Sequence, residues 1–308
     1  NMKEIFNKEQ KLFERISWQG ISFPVIPEWQ LLQIEGDINE GSIFIGYDNS
    51  PIIHLKWYRS KKKSPDAQSW ILQKFKINKP DKSPPLPESF LSSAWKLKHY
   101  LNEREYLNIW IGVGNDNKTI VEIISSNLCS SPIQNLISNE LIPNTKLFSE
   151  NEDWIWRIGS ASFVSPKKFI LNRKYLACGD ISLEFAGENS QILTLRQIYP
   201  AKLALTRKSL ADWQNNRPFE EKRKIFKVSE ENFQDIQNKI AGIKLKTIKK
   251  LPVPLQHFKS RFSELISAHD EKSDKVIISE FSAEKNFFKE GFSYNYLVQS
   301  IKEIRTNL

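Results

Sequence analysis

Cysteine is almost missing from this chain: Cys129 and Cys178 are the only two in 308 residues. They form no close pair, which excludes a disulfide framework and fits a reducing compartment. Long apolar runs are missing as well. Nothing approaches the roughly 18 consecutive apolar residues of a membrane-spanning helix, so no membrane span is expected. The opening residues, Asn1 to Arg15, mix charges with apolar side chains and lack the apolar core of a secretory signal. These absences together predict a cytoplasmic protein. Histidine is scarce too: His54, His99, His257 and His269 have no Cys or His at metal-ligand spacing, so neither a metal site nor a cofactor is expected.

What is present is a globular composition, 40% hydrophobic and 26% charged, rich enough in apolar side chains to bury a core. Nine Trp and nineteen Phe must be housed in cores or contact surfaces. The formal charge of +9 is uneven. Residues 1–150 hold 18 basic and 17 acidic side chains, and residues 151–308 hold 27 and 19. An electrostatic partner would therefore engage the second half.

Along the chain, Ile5, Phe6, Leu12 and Phe13 suggest an opening helix, after which the pattern turns to strands. Apolar segments at Trp18–Phe23, Trp29–Ile34, Gly41–Ile45 and Ile52–Trp57 are separated by turn residues, most clearly Asp48 to Pro51. A helix is predicted to start near Asp66, with Ala67, Trp70, Ile71 and Phe75 at helical spacing. The stretch Lys79 to Pro87 carries too many prolines for regular structure and reads as a loop. Leu107–Val113 and Thr119–Ile124 form the clearest hairpin. Further on, Ala201, Leu205 and Trp213 fit one helical face. Helices are also predicted around Phe233, Ile236 and Ile240, around Leu255, Phe258, Phe262, Leu265 and Ile266, and around Tyr296 or Leu297 with Ile301 and Ile304. Lys244–Leu251 and Val276–Ser279 read as strands.

The second half repeats the opening theme. Ser22, Phe23, Pro27, Trp29 and Leu31 correspond to Ser162, Phe163, Pro166, Phe169 and Leu171. Gly41–Ile45 corresponds to Gly179–Leu183, and Ile53–Trp57 to Leu193–Gln197. One offset for three successive matches predicts an internal duplication. The expectation is an α+β fold of two tandem modules, residues 1–150 and 151–308, each a mainly antiparallel sheet packed with helices.

The run Trp18, Gly20, Phe23, Pro27 and Trp29 resembles the opening of Mog1/PsbP-like domains, with Gly159, Phe163, Pro166 and Phe169 as counterparts in the second copy. It covers under a tenth of each half. The resemblance implies an antiparallel sheet between helices. It also implies a scaffold whose members often bind other proteins, as in photosystem assembly or Ran binding, without a shared catalytic site.

No catalytic motif is visible, which makes an enzyme the less favoured reading. Gly112-Val-Gly114 leads back into a strand, not onto a helix N-terminus, and so reads as a hairpin turn, not a phosphate loop. Cys129 has no local base, and Cys178 beside Gly179 reads as a small buried group. The basic clusters are the feature that points to a ligand. From Arg157 to Arg261 there are 21 Lys and Arg against 9 Asp and Glu. Arg207, Lys208, Lys222, Arg223, Lys224, Lys249 and Lys250 are the candidate polyanion-binding residues, with a solvated basic face as the competing reading. The sequence thus predicts a non-catalytic binding or assembly protein with a protein partner, and alternatively nucleic-acid or polyanion binding through residues 151–308.

Overall fold

The computed structural model describes residues 13–60, 66–77, 79–101, 106–126, 131–219, 223–250 and 260–306. It divides into two compact units, Asn1–Ser149 with Arg157–Ser160 and Glu150–Trp156 with Ala161–Leu308. No helix among the described residues is long and apolar enough to cross a membrane.

The first unit opens with a hairpin of β1 (Glu14–Trp18) and β2 (Ile21–Val25). Gln19 and Gly20, both at positive φ, make the two-residue turn that matches strand twist. Three strands follow as a meander: β3 (Gln30–Gly36), β4 (Glu40–Tyr47) and β5 (Ser50–Arg59). Gly41 is required there, because a Cβ would lie 2.2 Å from the Trp57 ring. Helix α1 (Ala67–Phe75) comes next, and Asp66 caps it by accepting from the Gln68 and Ser69 amides. The chain returns through β6 (Phe90–Tyr100), β7 (Tyr106–Gly114) and β8 (Thr119–Ser126). The sheet order is β3-β4-β5-β8-β7-β6, antiparallel at every pairing. Helix α2 (Ser131–Leu136), a π-helical turn and the short β9 (Lys146–Leu147), which pairs with β2, complete the unit.

The second unit runs in the same order. Neighbouring strands β10 (Trp154–Ile158) and β11 (Ala161–Ser165) precede the meander β12 (Ile170–Ala177), β13 (Asp180–Ala186) and β14 (Ile192–Ile198). Helices α3 (Ala201–Arg207) and α4 (Leu210–Asn215) follow. The return is β15 (Lys224–Asp235), β16 (Ile240–Lys250), β17 (Arg261–Asp270) and β18 (Lys275–Glu284), and helix α5 (Phe292–Thr306) closes the unit. The seven-stranded order is β12-β13-β14-β18-β17-β16-β15, again antiparallel throughout. One face of this sheet packs on Leu297, Val298, Ile301 and Ile304 of α5, and the other packs on α3 and α4.

The α+β expectation is overturned: the protein is mostly β, 52% strand, with three antiparallel sheets and five short helices among the described residues. Two stretches read as helix are strand. Phe233 lies at the end of β15, Ile236 in the turn and Ile240 at the start of β16. Phe262, Leu265 and Ile266 lie on β17. β17 is covered on both faces and so loses its period-2 alternation, and its apolar residues then fall by chance at helical spacing; β15 is instead a largely exposed edge strand, and Phe233 reaches helical spacing with Ile236 and Ile240 only through the turn. Ile5, Phe6, Leu12, Leu255 and Phe258 lie outside the described residues.

Candidate functional site

The face of the second sheet beneath α3 and α4 changes character along its strands. At one end Ile198, Leu245, Leu265, Val276 and Ile278 pack with Ala201 and Ala204 of α3 and with Leu210 and Trp213 of α4. Towards the other end the same alternating positions carry Thr194, Thr247, Lys249, Arg261, Ser263, Glu280 and Ser282. All of these except Thr194 are buried. Polar side chains on alternate positions normally mark a solvated face. Here Thr194, Lys249, Arg261, Glu280 and Ser282 floor a cavity of about 140 Å³, walled by Trp213, Gln214, Pro218 and Phe219.

Helix α4 is fixed over this floor at both of its ends. Ser209 and Asp212 form a reciprocal capping box at its start. At its end the Gln214 amide donates to the carbonyls of Ile243 (3.2 Å) and Leu265 (3.4 Å).

Glu280 is the electrostatic centre. Arg217 Nη1 lies 2.8 and 2.6 Å from its two oxygens, Lys249 Nζ lies 2.8 Å from Oε1, and the Ser263 hydroxyl donates at 2.6 Å. Burial alone would raise the Glu280 carboxyl, but the charges and hydrogen bonds of Lys249 and Arg217 outweigh it and hold the group well below the usual carboxylate range. Arg196 chelates Asp180 through Nε (2.7 Å) and Nη2 (2.6 Å), donates to the Asn216 carbonyl, and lies 5.3 Å from the Trp213 ring centre. Arg173 forks onto Glu184 and stacks 4.7 Å from Phe219. Arg261 donates to the carbonyls of Ser190 (2.5 Å) and Ser282 (2.8 Å). Among the described residues six cations line the cavity, Arg173, Arg196, Arg217, Arg223, Lys249 and Arg261, against two carboxylates, Glu184 and Glu280.

Of the residues singled out in the sequence, Arg223 and Lys249 come together in this cavity. Lys249 is buried on Glu280, so it belongs to the pocket floor and not to a surface. Lys224 and Lys250 sit opposite each other on the exposed end of the β15–β16 ladder. Arg207 and Lys208 are exposed at the C-terminal end of α3, Lys208 over the Trp213 ring at 5.1 Å. Lys222, like Lys61 to Lys63, Cys129 and His257, lies outside the described residues. Arg173, Arg196, Arg217, Arg261 and Glu280 were not singled out from the sequence as site residues. For Arg196, Arg261 and Glu280 the signal is charge placed at alternate positions within largely buried strands; Arg217, in the segment after α4, carries no such mark.

Among the described residues, none of the remaining candidates lines this cavity. Gly114 opens the β7–β8 turn, where Asp116 accepts from the Lys118 and Thr119 amides. Cys178 is exposed in the β12–β13 turn, not buried as its sequence context suggested, because Gly179 at positive φ carries the chain around outside the sheet. His54 stacks on Phe44 with ring centres 3.8 Å apart. Burial, aided by Lys56, pushes its imidazole down to about 4. Among the described residues, no group of three or more His, Cys, Asp or Glu is placed to hold a metal ion.

No protein-family model matches the chain, and no curated protein sequence matches it either.

Proposed function

We propose that the chain is a non-catalytic binding protein of two modules that arose by duplication, and that the second module recognises an anionic group in the pocket beneath α4. The duplication is supported by the shared chain order: a hairpin, a three-strand meander, helix, a returning meander whose last strand pairs with the third, and a final helix. Binding through the pocket is supported by one observation above all, the six cations set, among the described residues, against two carboxylates in a cavity floored by a sheet. Binding is favoured over turnover by how those carboxylates are engaged. Glu184 is forked by Arg173, and Glu280 is held ionised by two cations well below the usual carboxylate range, which makes it a poor proton acceptor near neutral pH.

Polyanion binding is the second reading. It draws on Lys224 and Lys250, whose like charges face each other across an exposed ladder and would be relieved by a phosphate between them. Chromatography of the full chain on phosphocellulose separates the two. Pocket recognition predicts elution by a few millimolar free phosphate, with sodium chloride of equal ionic strength leaving the protein bound. Elution that follows ionic strength alone favours the polyanion surface. Absence of retention, or turnover of a bound anion, overturns the first reading.

A further inference from the structure

We propose that β15 is a docking edge for a second copy of this chain, the two strands running antiparallel and joining two seven-stranded sheets into one. No residue of β15 lines the pocket beneath α4, so the dimer and the pocket's ligand are tested independently.

β15 ends its sheet: β16 pairs along one side of it, and among the described residues no strand pairs along the other. An edge strand leaves alternate amides and carbonyls pointing outward as a template for another strand. At twelve residues β15 is longer than any other described strand, and every residue from Lys224 to Asn232 is exposed. Edges left open in proteins are normally short. Two copies overlapping over about ten residues would share on the order of ten backbone hydrogen bonds, the number that a specific interface carries.

The edge also offers apolar surface. Ile225, Phe226 and Val228 are 41%, 49% and 59% exposed, and covering them adds a hydrophobic gain to the backbone pairing. Charge selects the partner and its direction. Lys224 and Lys227 lie in the first third of the strand, Glu230 and Glu231 in the second half. A parallel copy sets like charge against like, whereas an antiparallel copy sets the lysines of each strand towards the glutamates of the other. Lys227 already pairs with Glu230 within the strand, and Glu231 lies 3.9 Å from Lys244. Both glutamates are exposed, where such pairs are individually weak, so a second copy extends them into an alternating network without breaking a buried pair. The cross-strand neighbour of Lys224 within the chain is another cation, Lys250, and the glutamates of a second copy relieve that repulsion.

The register shift between Lys227 and Ser229 limits the alignment. Ile225 and Lys227 before it share a face with Lys249 and Thr247, and Glu230 after it shares that face through Leu245. A two-fold axis between Val228 and Ser229 keeps both faces in line and sets Lys227 directly opposite Glu230 of the second copy. The lysines and the shift are devices that keep an edge from indiscriminate pairing; with glutamates on the same strand they make it selective for itself. The far edge of the sheet, β12, has no such match, since its charged residues, Arg173 and Lys174, are of one sign. Pairing of β12 with β15 would build an open chain of molecules, while β15 on β15 closes as a dimer.

The test is sedimentation velocity of the full chain from about 5 to about 500 µM, the range of a modest interface, together with disulfide trapping. Wild type is expected to pass from monomer to dimer with no larger species. Lys224→Glu with Lys227→Glu, and separately Glu230→Lys with Glu231→Lys, are each expected to weaken association at least about tenfold. An equimolar mixture of the two variants is expected to recover the dimer. Direction is read from cysteines placed in a Cys129→Ser, Cys178→Ser background and oxidised with diamide. Ser229→Cys is expected to cross-link, and Lys224→Cys is not, because its two copies stand roughly 30 Å apart in the antiparallel pair. Cross-linking at both positions makes the pairing parallel and overturns the assignment. A dimer indifferent to both charge reversals overturns it too, as does a monomer at every concentration, which leaves the edge to a strand from another protein. Should a charge-reversed variant fail to fold, as read by circular dichroism, the two cysteine variants decide alone.

Discussion

Beneath α1, the sheet of the first unit presents Ile109, Ile111, Val113 and Ile120, and α1 adds Ala67 and Ile71 to make a closed apolar core. The corresponding face of the second sheet, beneath α3 and α4, presents an apolar end and then Lys249, Arg261, Ser263, Glu280 and Ser282. The first unit buries one carboxylate on this face. Glu122, fully buried, accepts from Lys74 Nζ at 2.6 Å and from the Trp70 indole at 2.8 Å. One scaffold can thus use the same covered face as structural core or as a charged recess. The difference lies in which residues occupy alternate positions of the returning strands.

The largest expected effect is on the second unit. Glu280→Ala leaves Arg217 and Lys249 without their shared carboxylate and should cost about 3–5 kcal/mol, read as a lower urea midpoint and partly restored by added phosphate. Glu122→Ala should cost less, about 1–3 kcal/mol, because Lys74 is partly exposed and reaches solvent. Equal losses would erase the contrast. Ile111→Ala, in the apolar core under α1, should cost about 2–4 kcal/mol, measured the same way and indifferent to anions.

Acidification should separate the units next. The His54 imidazole, at about 4 in the folded protein against 6.5 otherwise, takes up its proton first in the unfolded chain. Stability should therefore fall as pH drops from 6.5 towards 4, by on the order of 2 kcal/mol. Glu280, held below its ordinary range, contributes stability that persists above about pH 4.5 and is lost only below it. Unfolding of the His54→Gln variant across this range should show a flatter pH profile, and an unchanged slope would remove His54 from the account. The smallest effect is a gain: Thr247→Val removes an unpartnered buried hydroxyl and should stabilise the protein by about 1 kcal/mol, read as a higher urea midpoint.

Much of the strand framework is legible in the residues. Asp48 and Asn49 both take positive φ in the β4–β5 turn, Asp66 caps α1, and Ile52–Trp57 falls within β5. Val276–Ser279 falls within β18, but β17 was hidden by its own burial: both of its faces are covered, so Leu265 and Ile266 are adjacent apolar residues with no alternation to mark a strand. A continuous helix on Ala201, Leu205 and Trp213 is in fact two, interrupted where Lys208 is extended and Ser209 caps anew. The pocket was the least legible feature. Alternating polar residues look the same whether water or a helix covers them, and the groups that meet at Glu280 come from four segments, Arg217, Lys249, Ser263 and Glu280 itself.

The grip of Glu122 on α1 has a consequence for motion. If α1 lifts, Trp70 and Lys74 leave together, and a carboxylate at the centre of the sheet loses both donors at once. Partial fraying is therefore penalised, and the helix and strand β8 should open as one cooperative unit. In hydrogen exchange the amides of α1, a nine-residue helix that would exchange within moments alone, should be protected to the same degree as those of Val121 and Ile123.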